Sequence, residues 1–379
     1  MLDKLVELRQ ELHAFPEISG SEMKTSLRIM KFFSQLEYDD LVEFPNYGLA
    51  YIFNGKSEGK TIMFRADMDA VSVYETNDFD HCSRNEGCSH SCGHDGHMTI
   101  LAGLGEVISK NRDFSGKVIL LFQPSEENGQ GASELLRFGN FRDLKPDYIF
   151  GLHNVPGYPK GAIISKKEVF SNSSTGATIF FVGKDSHAAE PEKGINPIYT
   201  MMDIVKVIKG YCESDKIEKN SKITMVGINS GGSNFGISPG KGVLHMTLRA
   251  ESEHNMNRLK MALNETVDFF CKRDGVISKL DYSETFPSIE NSDECFNIIK
   301  SASDNFIEVA RPFKWSEDFG WYTRYYNCGF FGLASGEEQP VLHSSNFDFP
   351  DDIIEVGIKT YLKIISKISG LDGFKKELI

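Results

Sequence analysis

Lys117-Val118-Ile119-Leu120-Leu121-Phe122-Gln123-Pro124-Ser125-Glu126-Glu127-Asn128-Gly129 is an apolar run that breaks at a proline into two adjacent carboxylates. An apolar run without alternation is expected of a strand whose sheet is covered by helices on both faces, as in parallel α/β sheets. Asp147-Tyr148-Ile149-Phe150-Gly151-Leu152 repeats the pattern and leads into His153. Helical signals near 2–14, 22–36 and 98–110 alternate with strand signals near 49–54 and 61–66. The helix near 98–110 collects Ile100, Leu101, Leu104, Val107 and Ile108 on one face, and Leu5, Leu8 and Leu12 stripe the first helix. This alternation predicts an α/β fold around a mostly parallel sheet.

Residues able to do chemistry follow these strands directly. Asp67 and Asp69 follow Thr61–Arg65, Glu126 and Glu127 follow Val118–Phe122, and His153 follows Tyr148–Leu152. Ligands of open α/β sheets bind beyond the carboxyl ends of the strands, so these residues are expected to share one site. Cys92-Gly93-His94-Asp95-Gly96-His97 adds a thiol and an imidazole two residues apart, a pairing suited to a transition metal, with glycines that permit close backbone approach. His343, after a Gly-rich loop, completes the candidate ligands Cys92, His94, Glu127, His153 and His343. Two adjacent carboxylates diverge and cannot face one metal equally. One can ligate while the other holds a water and takes its proton, the division that metal-assisted hydrolysis requires. Asp67 and Asp69 are expected to orient ligating histidines, with helix capping or a turn as the plain alternative.

A structural zinc knuckle is the rival reading, because His81, Cys82, Cys88 and His90 crowd the same span. Structural sites use paired short spacings of Cys and His. Here the pairs are irregular, and Glu126-Glu127 and His153 lie after separate strands, so those four residues are expected to be loop residues.

The middle of the chain reads differently. Strand signals near 176–183, 222–229, 243–250 and 276–283 interleave with helices near 196–212 and 255–272. The order β-α-β-β-α-β is that of a ferredoxin-like unit. Ser171-Asn172-Ser173-Ser174 and the segment around Pro287-Ser288 are plausible boundaries, giving domains 1–170, 171–284 and 285–379, the middle one inserted into the other two. A last helix is expected near 351–369. His187, Asn234 and Arg249 lie in the insertion and are ordinary residues if taken singly.

At 379 residues, two domains are the default. The net charge of −13 argues against nucleic acid, since phosphate binding wants a basic face; solubility alone accounts for it. No apolar stretch approaches the roughly 20 residues of a membrane span, and Met1–Gln10 is too charged for a signal peptide. Seven cysteines, an odd number with scattered spacing, suit reduced thiols, so cytoplasm is the expected compartment.

Arg65-Ala66-Asp67-Met68-Asp69-Ala70, the Cys92–His97 run, Gln123-Pro124-Ser125-Glu126-Glu127, Gly151-Leu152-His153, Ser186-His187-Ala188-Ala189 and Leu342-His343-Ser344-Ser345-Asn346-Phe347-Asp348-Phe349 occur in one order over residues 65–349. On these motifs the chain resembles the M20 metallopeptidases, in particular the amidohydrolase branch of aminoacylases, hippurate hydrolases, auxin-conjugate hydrolases and N-acetyl-diaminopimelate deacetylases. The resemblance implies a zinc-exopeptidase-like catalytic domain with an inserted lid and dimerisation domain. It further implies two divalent ions (zinc, manganese, cobalt or nickel) on Cys92, His94, Glu127, His153 and His343, with Glu126 as general base and acid. His187 looks like the family histidine that reaches across a homodimer to the partner's oxyanion. Asn234 and Arg249 look like the residues holding the substrate carboxylate, Arg through its bidentate fork. The chain departs from the family pattern in Pro124-Ser125-Glu126-Glu127, where Ala is usual before the carboxylates, in Asn234-Phe235-Gly236-Ile237-Ser238-Pro239, in Phe170–Ser174, and in Ser344-Ser345 after His343. The implied activity is hydrolysis of the amide bond of N-acyl amino acids or related small acyl amides. The alternatives are a metallo-dipeptidase or carboxypeptidase with the same site, a metal-bound binding protein without catalysis, and a Cys/His-rich structural or redox module.

Overall fold

The computed structural model describes residues 1–214 and 220–370. The chain divides into two compact units, one of Met1–Phe170, Ile289–Pro312 and the chain from Asp318 onward, the other of Ser171–Ser288 and Phe313–Glu317.

The first unit is built on an eight-stranded sheet. Its order is Asp40–Glu43, Leu49–Asn54, Ser115–Gln123, Ser57–Asp67, Tyr148–Pro156, Asn327–Gly336, Ile163–Ser165, Phe306–Glu308. The four central strands run parallel. Leu49–Asn54 and Ile163–Ser165 turn antiparallel on either side of them. Ile62, Phe64, Val118, Leu120, Phe122 and Phe150 are all fully buried, which explains why these strands read as continuous apolar runs. Leu5, Leu8 and Leu12 of the helix Leu2–Ala14 pack into the same core, as do Ile100, Leu104 and Ile108 of His94–Lys110 and Ile358 and Ile365 of Ile354–Ser369. Helix packing is close at Gly103, where an added Cβ would lie 2.4 Å from Ile358 and 2.8 Å from Leu5.

The second unit is a four-stranded antiparallel sheet in the order Lys222–Ser230, Lys241–Ala250, Ser173–Val182, Ile277–Phe286. Helices Pro197–Cys212 and Glu253–Asp274 complete the β-α-β-β-α-β order of a ferredoxin-like fold. Asn196 caps the first helix by accepting from Ile198 N–H, with Pro197 at the first position, and Ser252 caps the second from Asn255 N–H. Alternate residues Ala177, Ile179, Phe181, Leu244, Met246 and Leu248 are buried against Met201, Ile204, Leu259 and Leu263 of the helices.

Four details differ from the sequence reading. The helix near 98–110 begins at His94, so His94 and His97 sit in its first turn. His153 lies inside the strand Tyr148–Pro156 and not after it. The inserted strand runs to Phe286 and its unit to Ser288, past residue 284. Phe313–Glu317, a stretch assigned by sequence to the last domain, belongs to the inserted unit. The cause is hydrogen bonding to this stretch from residues far away along the chain. The Phe313 carbonyl accepts the Asn172 N–H (3.0 Å), and the Lys314 carbonyl accepts from Arg249 Nη1 (3.2 Å).

Candidate metal centre

The parallel strands Ser57–Asp67, Ser115–Gln123, Tyr148–Pro156 and Asn327–Gly336 point their carboxyl ends the same way, and the chemistry-bearing residues collect there. Cys92 is the hinge of the cluster. Its Sγ lies 3.4 Å from His153 Nε2 and 3.2 Å from His343 Nε2. Two triads therefore share one thiol, Cys92/His94/His153 and Cys92/Glu127/His343, each with ligand atoms within 4.8 Å of one another. Glu127 Oε1 lies 3.8 Å from His94 Nε2 and 3.3 Å from His343 Nε2, which joins the triads from the other side. His343 is half exposed, whereas Cys92, His94 and His153 are buried.

Local structure aims these groups. Gly93 adopts φ 92°, and a Cβ there would fall 2.3 Å from Asn154 Oδ1, so only glycine fits between Cys92 and His94. The backbone carbonyl of Asp69 accepts from His94 Nδ1 at 2.8 Å, leaving Nε2 directed at the cluster with no hydrogen-bond partner. The Asn154 carbonyl does the same for His153 Nδ1 at 2.8 Å. In each case the bonded Nδ1 fixes the ring and presents Nε2, the arrangement metal-ligating histidines use. His97, the third polar member of the Cys92–His97 run, has both ring nitrogens engaged, by Asp67 Oδ1 (2.6 Å) and by Asn154 Oδ1 (2.6 Å).

Asp67 and Asp69 do different work. Asp67 hydrogen-bonds His97 and the Arg65 guanidinium (2.7 Å), and its Oδ2 also lies 3.7 Å from His94 Nε2. Asp69 reaches His94 through its backbone oxygen. Its carboxylate accepts the backbone N–H groups of Glu126 (3.1 Å) and Glu127 (2.9 Å), along with the Ser19 hydroxyl (2.6 Å), and so holds the paired-carboxylate loop in place. Glu126 is buried, and its Oε1 accepts the Asp318 N–H at 3.3 Å. Ser125, just before it, and His343 both have left-handed backbones, φ 59° and 63°. Non-glycine residues pay for that conformation, and it collects at functional sites.

Electrostatics follow from burial among carboxylates. Burial, then Glu127, Glu126 and Asp67, push the Cys92 thiol well up. Burial alone would lower His94, but Asp67, Asp69 and Glu127 outweigh it and push the imidazole up to about 10. His153 is held well below its usual range by burial and by its histidine neighbours His97 and His94. Burial among these carboxylates thus favours the protonated forms of Cys92 and His94. A divalent cation answers each feature, because it requires a thiolate and neutral imidazoles and supplies the positive charge that His94 otherwise carries. The orphaned Nε2 of His94 and the mixed S/N/O donor set fit such an ion.

Several residues that hold the site were not legible as functional. Arg65, Gln123 and Asp318 form a buried knot. Arg65 Nη2 and Gln123 Nε2 donate to the Asp318 carboxylate at 2.7 and 2.8 Å, and Ala132 N–H does so at 2.8 Å. Gln123 and Ala132 flank the loop that carries Glu126 and Glu127, so one carboxylate clips both ends of that loop. The available signal was Arg65 itself, a charge inside the apolar run Ile62–Ala66 that burial would forbid without a partner. His81 bonds Asp348 (3.3 Å), while buried His90 has no hydrogen-bond partner on either ring nitrogen among the described residues.

In the inserted unit, His187 and Asn234 are neighbours. His187 pairs with Ile237 in a two-stranded ribbon, and the Asn234 carbonyl accepts the Ile237 N–H at 3.2 Å. Both side chains are exposed, and Ala189 N–H donates to His187 Nδ1 at 3.1 Å. Arg249 lies away from this ribbon on Lys241–Ala250, where its Nη1 donates to the Lys314 carbonyl and to Ser316 Oγ (3.4 Å).

The chain is 26% identical over 367 residues to a hippurate hydrolase of Campylobacter jejuni, covering 95% of each chain. It is 29% identical over 383 residues to thermostable carboxypeptidase 2 of Saccharolobus solfataricus, covering 97% of this chain and 96% of the other. A Bacillus subtilis structure described as a dinuclear metal binding peptidase of family M20 superposes with a TM-score of 0.82 at 22% identity, over 98% of this chain and 99% of that one. That likeness establishes the fold. The motifs met first in the sequence, the shared-thiol cluster and a match of residues 63–367 to one family model all lead to the same assignment, and the chain belongs to peptidase family M20/M25/M40.

Proposed function

We propose that this chain hydrolyses the amide bond of N-acyl amino acids or related small acyl amides, releasing a carboxylic acid and a free amine. The observation that carries the reading is the pair of triads sharing Cys92 with the buried carboxylate of Glu126 beside them. Cys92, His94, Glu127, His153 and His343 would hold two divalent ions, with zinc, manganese, cobalt and nickel all compatible with this donor set. When bound, such ions polarise a carbonyl and bring the acidity of water toward neutrality.

The protein's own groups handle protons and position. Glu126 takes the proton of the attacking water and returns it to the leaving amine, so one carboxylate serves as base and then acid. Asp69 and Asp318 keep Glu126 in place through the backbone N–H bonds described above. His187 is assigned to the developing oxyanion, in trans across a homodimer, and Asn234 and Arg249 to the substrate carboxylate. The edge strand Lys222–Ser230, with Val226 and Ile228 60% or more exposed, supports a homodimer formed through the inserted unit. The protein is assigned to the cytoplasm, a reading supported by its seven free cysteines. Among the described residues no helix is long and apolar enough to cross a membrane.

Amine release from N-acetyl and N-benzoyl amino acids tests the proposal, with protein stripped of metal and reloaded with manganese, zinc or cobalt. Turnover that returns only with metal supports it. No turnover across the panel, with two ions bound per chain, overturns it. The carboxypeptidase relative favours a second reading, cleavage of peptides at the same centre; faster release from a peptide with a free amino group than from its N-acylated form selects that reading.

A further inference from the structure

Away from the cluster, the first unit has a surface cleft of about 410 Å³ lined by Leu136, Arg137, Arg142, Trp321, Tyr325 and Tyr326, together with Ser133. None of these residues is among the candidate metal ligands. One wall follows the short helix Gly131–Leu135 and the other is Gly320–Thr323 with the turn after it.

The lining has two properties that bear on what it could bind. First, it concentrates positive charge in a protein whose net charge is −13. The guanidiniums of Arg137 and Arg142 have no hydrogen bond or ion pair among the described residues, and a third arginine, Arg324, lies 4.7 Å over the Trp321 ring. Unpaired arginines sharing one cleft repel each other, and a planar oxyanion relieves that repulsion through the bidentate bonds their forks make. Second, the cleft displays large ring surfaces to water. Tyr325 is 67% exposed, and Trp321, one of only two tryptophans in the chain, is only partly covered. Rings and arginines together recognise a flat apolar body bearing an anion. The volume lies at the small end of ligand pockets, enough for one or two rings with substituents and too small for a folded partner's loop.

We infer that this cleft is a binding site for a small organic anion built on a flat ring, an aromatic carboxylate or a ring-bearing phosphate. Metal cations are excluded by the arginines. Neutral ligands would leave both guanidiniums unanswered. The cleft also adjoins the loop that bears the carboxylates, since Trp321 N–H donates to the Asp318 carbonyl at 2.9 Å while Asp318 N–H meets Glu126.

Trp321 makes the test independent of turnover. In a Trp315→Phe protein it is the sole tryptophan, and its fluorescence is followed while benzoate, adenosine monophosphate or inorganic phosphate is added. A saturable change is expected with benzoate or adenosine monophosphate and not with phosphate alone, and whichever saturates at lower concentration identifies the anionic group. In Arg137→Ala/Arg142→Ala on the same background, affinity should fall about tenfold or more, because two charge-assisted contacts are lost. Metal-dependent amide hydrolysis in that variant should be unchanged, which separates this cleft from occupancy of the metal centre. The inference is overturned by the absence of any saturable change up to about 10 mM of either ring-bearing anion, an affinity near −3 kcal/mol or weaker. Equal affinity in the double variant, or a response to phosphate as large as to the aromatic anions, overturns it as well.

Discussion

Glu126 and Asp318 illustrate how much depends on single atoms. Glu126→Gln keeps the size and the Asp318 N–H contact but cannot hold a proton in exchange, so turnover should drop by roughly 10²–10⁴-fold. Metal content, measured by elemental analysis, should stay at the wild-type level; near-normal turnover in the loaded variant would remove Glu126 from its role. Asp318→Ala acts differently. It removes the Asp318 carboxylate from Arg65 and releases both ends of the Gln123–Ala132 loop. Arg65 keeps its pair with Asp67, but its Nη2, Gln123 Nε2 and Ala132 N–H lose a buried charged acceptor, so unfolding free energy should fall by on the order of 3 kcal/mol in urea titrations. Asp318→Asn, which retains the shape, should lose less. If both variants match the wild type, the buried knot is not what holds the loop.

At the level of elements, the turn from Cys92 into the helix His94–Lys110 is the most constrained piece of the site. Gly93→Ala must place a Cβ in a left-handed backbone against Asn154. The conformational part alone costs about 1–2 kcal/mol, and the contact adds to it. Movement of this turn separates Cys92 from His94, so the variant should bind less metal per chain as well as melt lower. Full metal stoichiometry with an unchanged melting temperature would contradict this reading of the turn. The helix start also shows why periodicity alone placed it near 98. Apolar spacing begins at Met98, whereas the first turn is polar and is recruited by Asp67, Asp69 and Asn154, residues distant along the chain.

For the whole molecule, charge buried between the N-terminal helix and the rest of its unit contributes to the response to pH. His13 is buried, and burial alone would lower it. Hydrogen bonds to Asp95 (2.8 Å) and Glu75 (3.1 Å) outweigh that and push it up to about 9, from an ordinary value of 6.5. A group raised in the folded state stabilises fully below its unfolded value and loses that stabilisation as pH rises through its folded value. The loss therefore falls between about pH 6.5 and 9 and amounts to roughly 3 kcal/mol. Urea midpoints measured across that window should decline in the wild type and decline less in His13→Gln; parallel curves would sink the assignment. Assembly belongs to the same scale. Val226→Lys puts a charge in the exposed edge strand Lys222–Ser230 and should shift a dimer to monomer in sedimentation. Because His187 is assigned in trans, turnover should fall with the dimer population, and a fully active monomer would place the oxyanion histidine elsewhere.

Much of this protein could be read along the chain because its signals are local. Lys117–Phe122 is apolar since both faces of its sheet are covered, and Glu126-Glu127 after it stood out because paired carboxylates have no place in a core. Cys92 and His94 were conspicuous by spacing, and the β-α-β-β-α-β order of the insertion by periodicity. Folding decided the rest, through contacts between residues far apart. Nothing near Asp318 in sequence announces that its carboxylate binds Arg65, 253 residues away, or that its N–H meets Glu126. Asp69 was read as an orienting carboxylate, yet it turns His94 with its carbonyl and spends its carboxylate on the loop of Glu126. The assignment of Phe313–Glu317 to the inserted unit rests on backbone bonds to Asn172 and on Arg249, which no local pattern encodes. Periodicity and composition report which faces are buried; partner identity depends on the path of the chain in space.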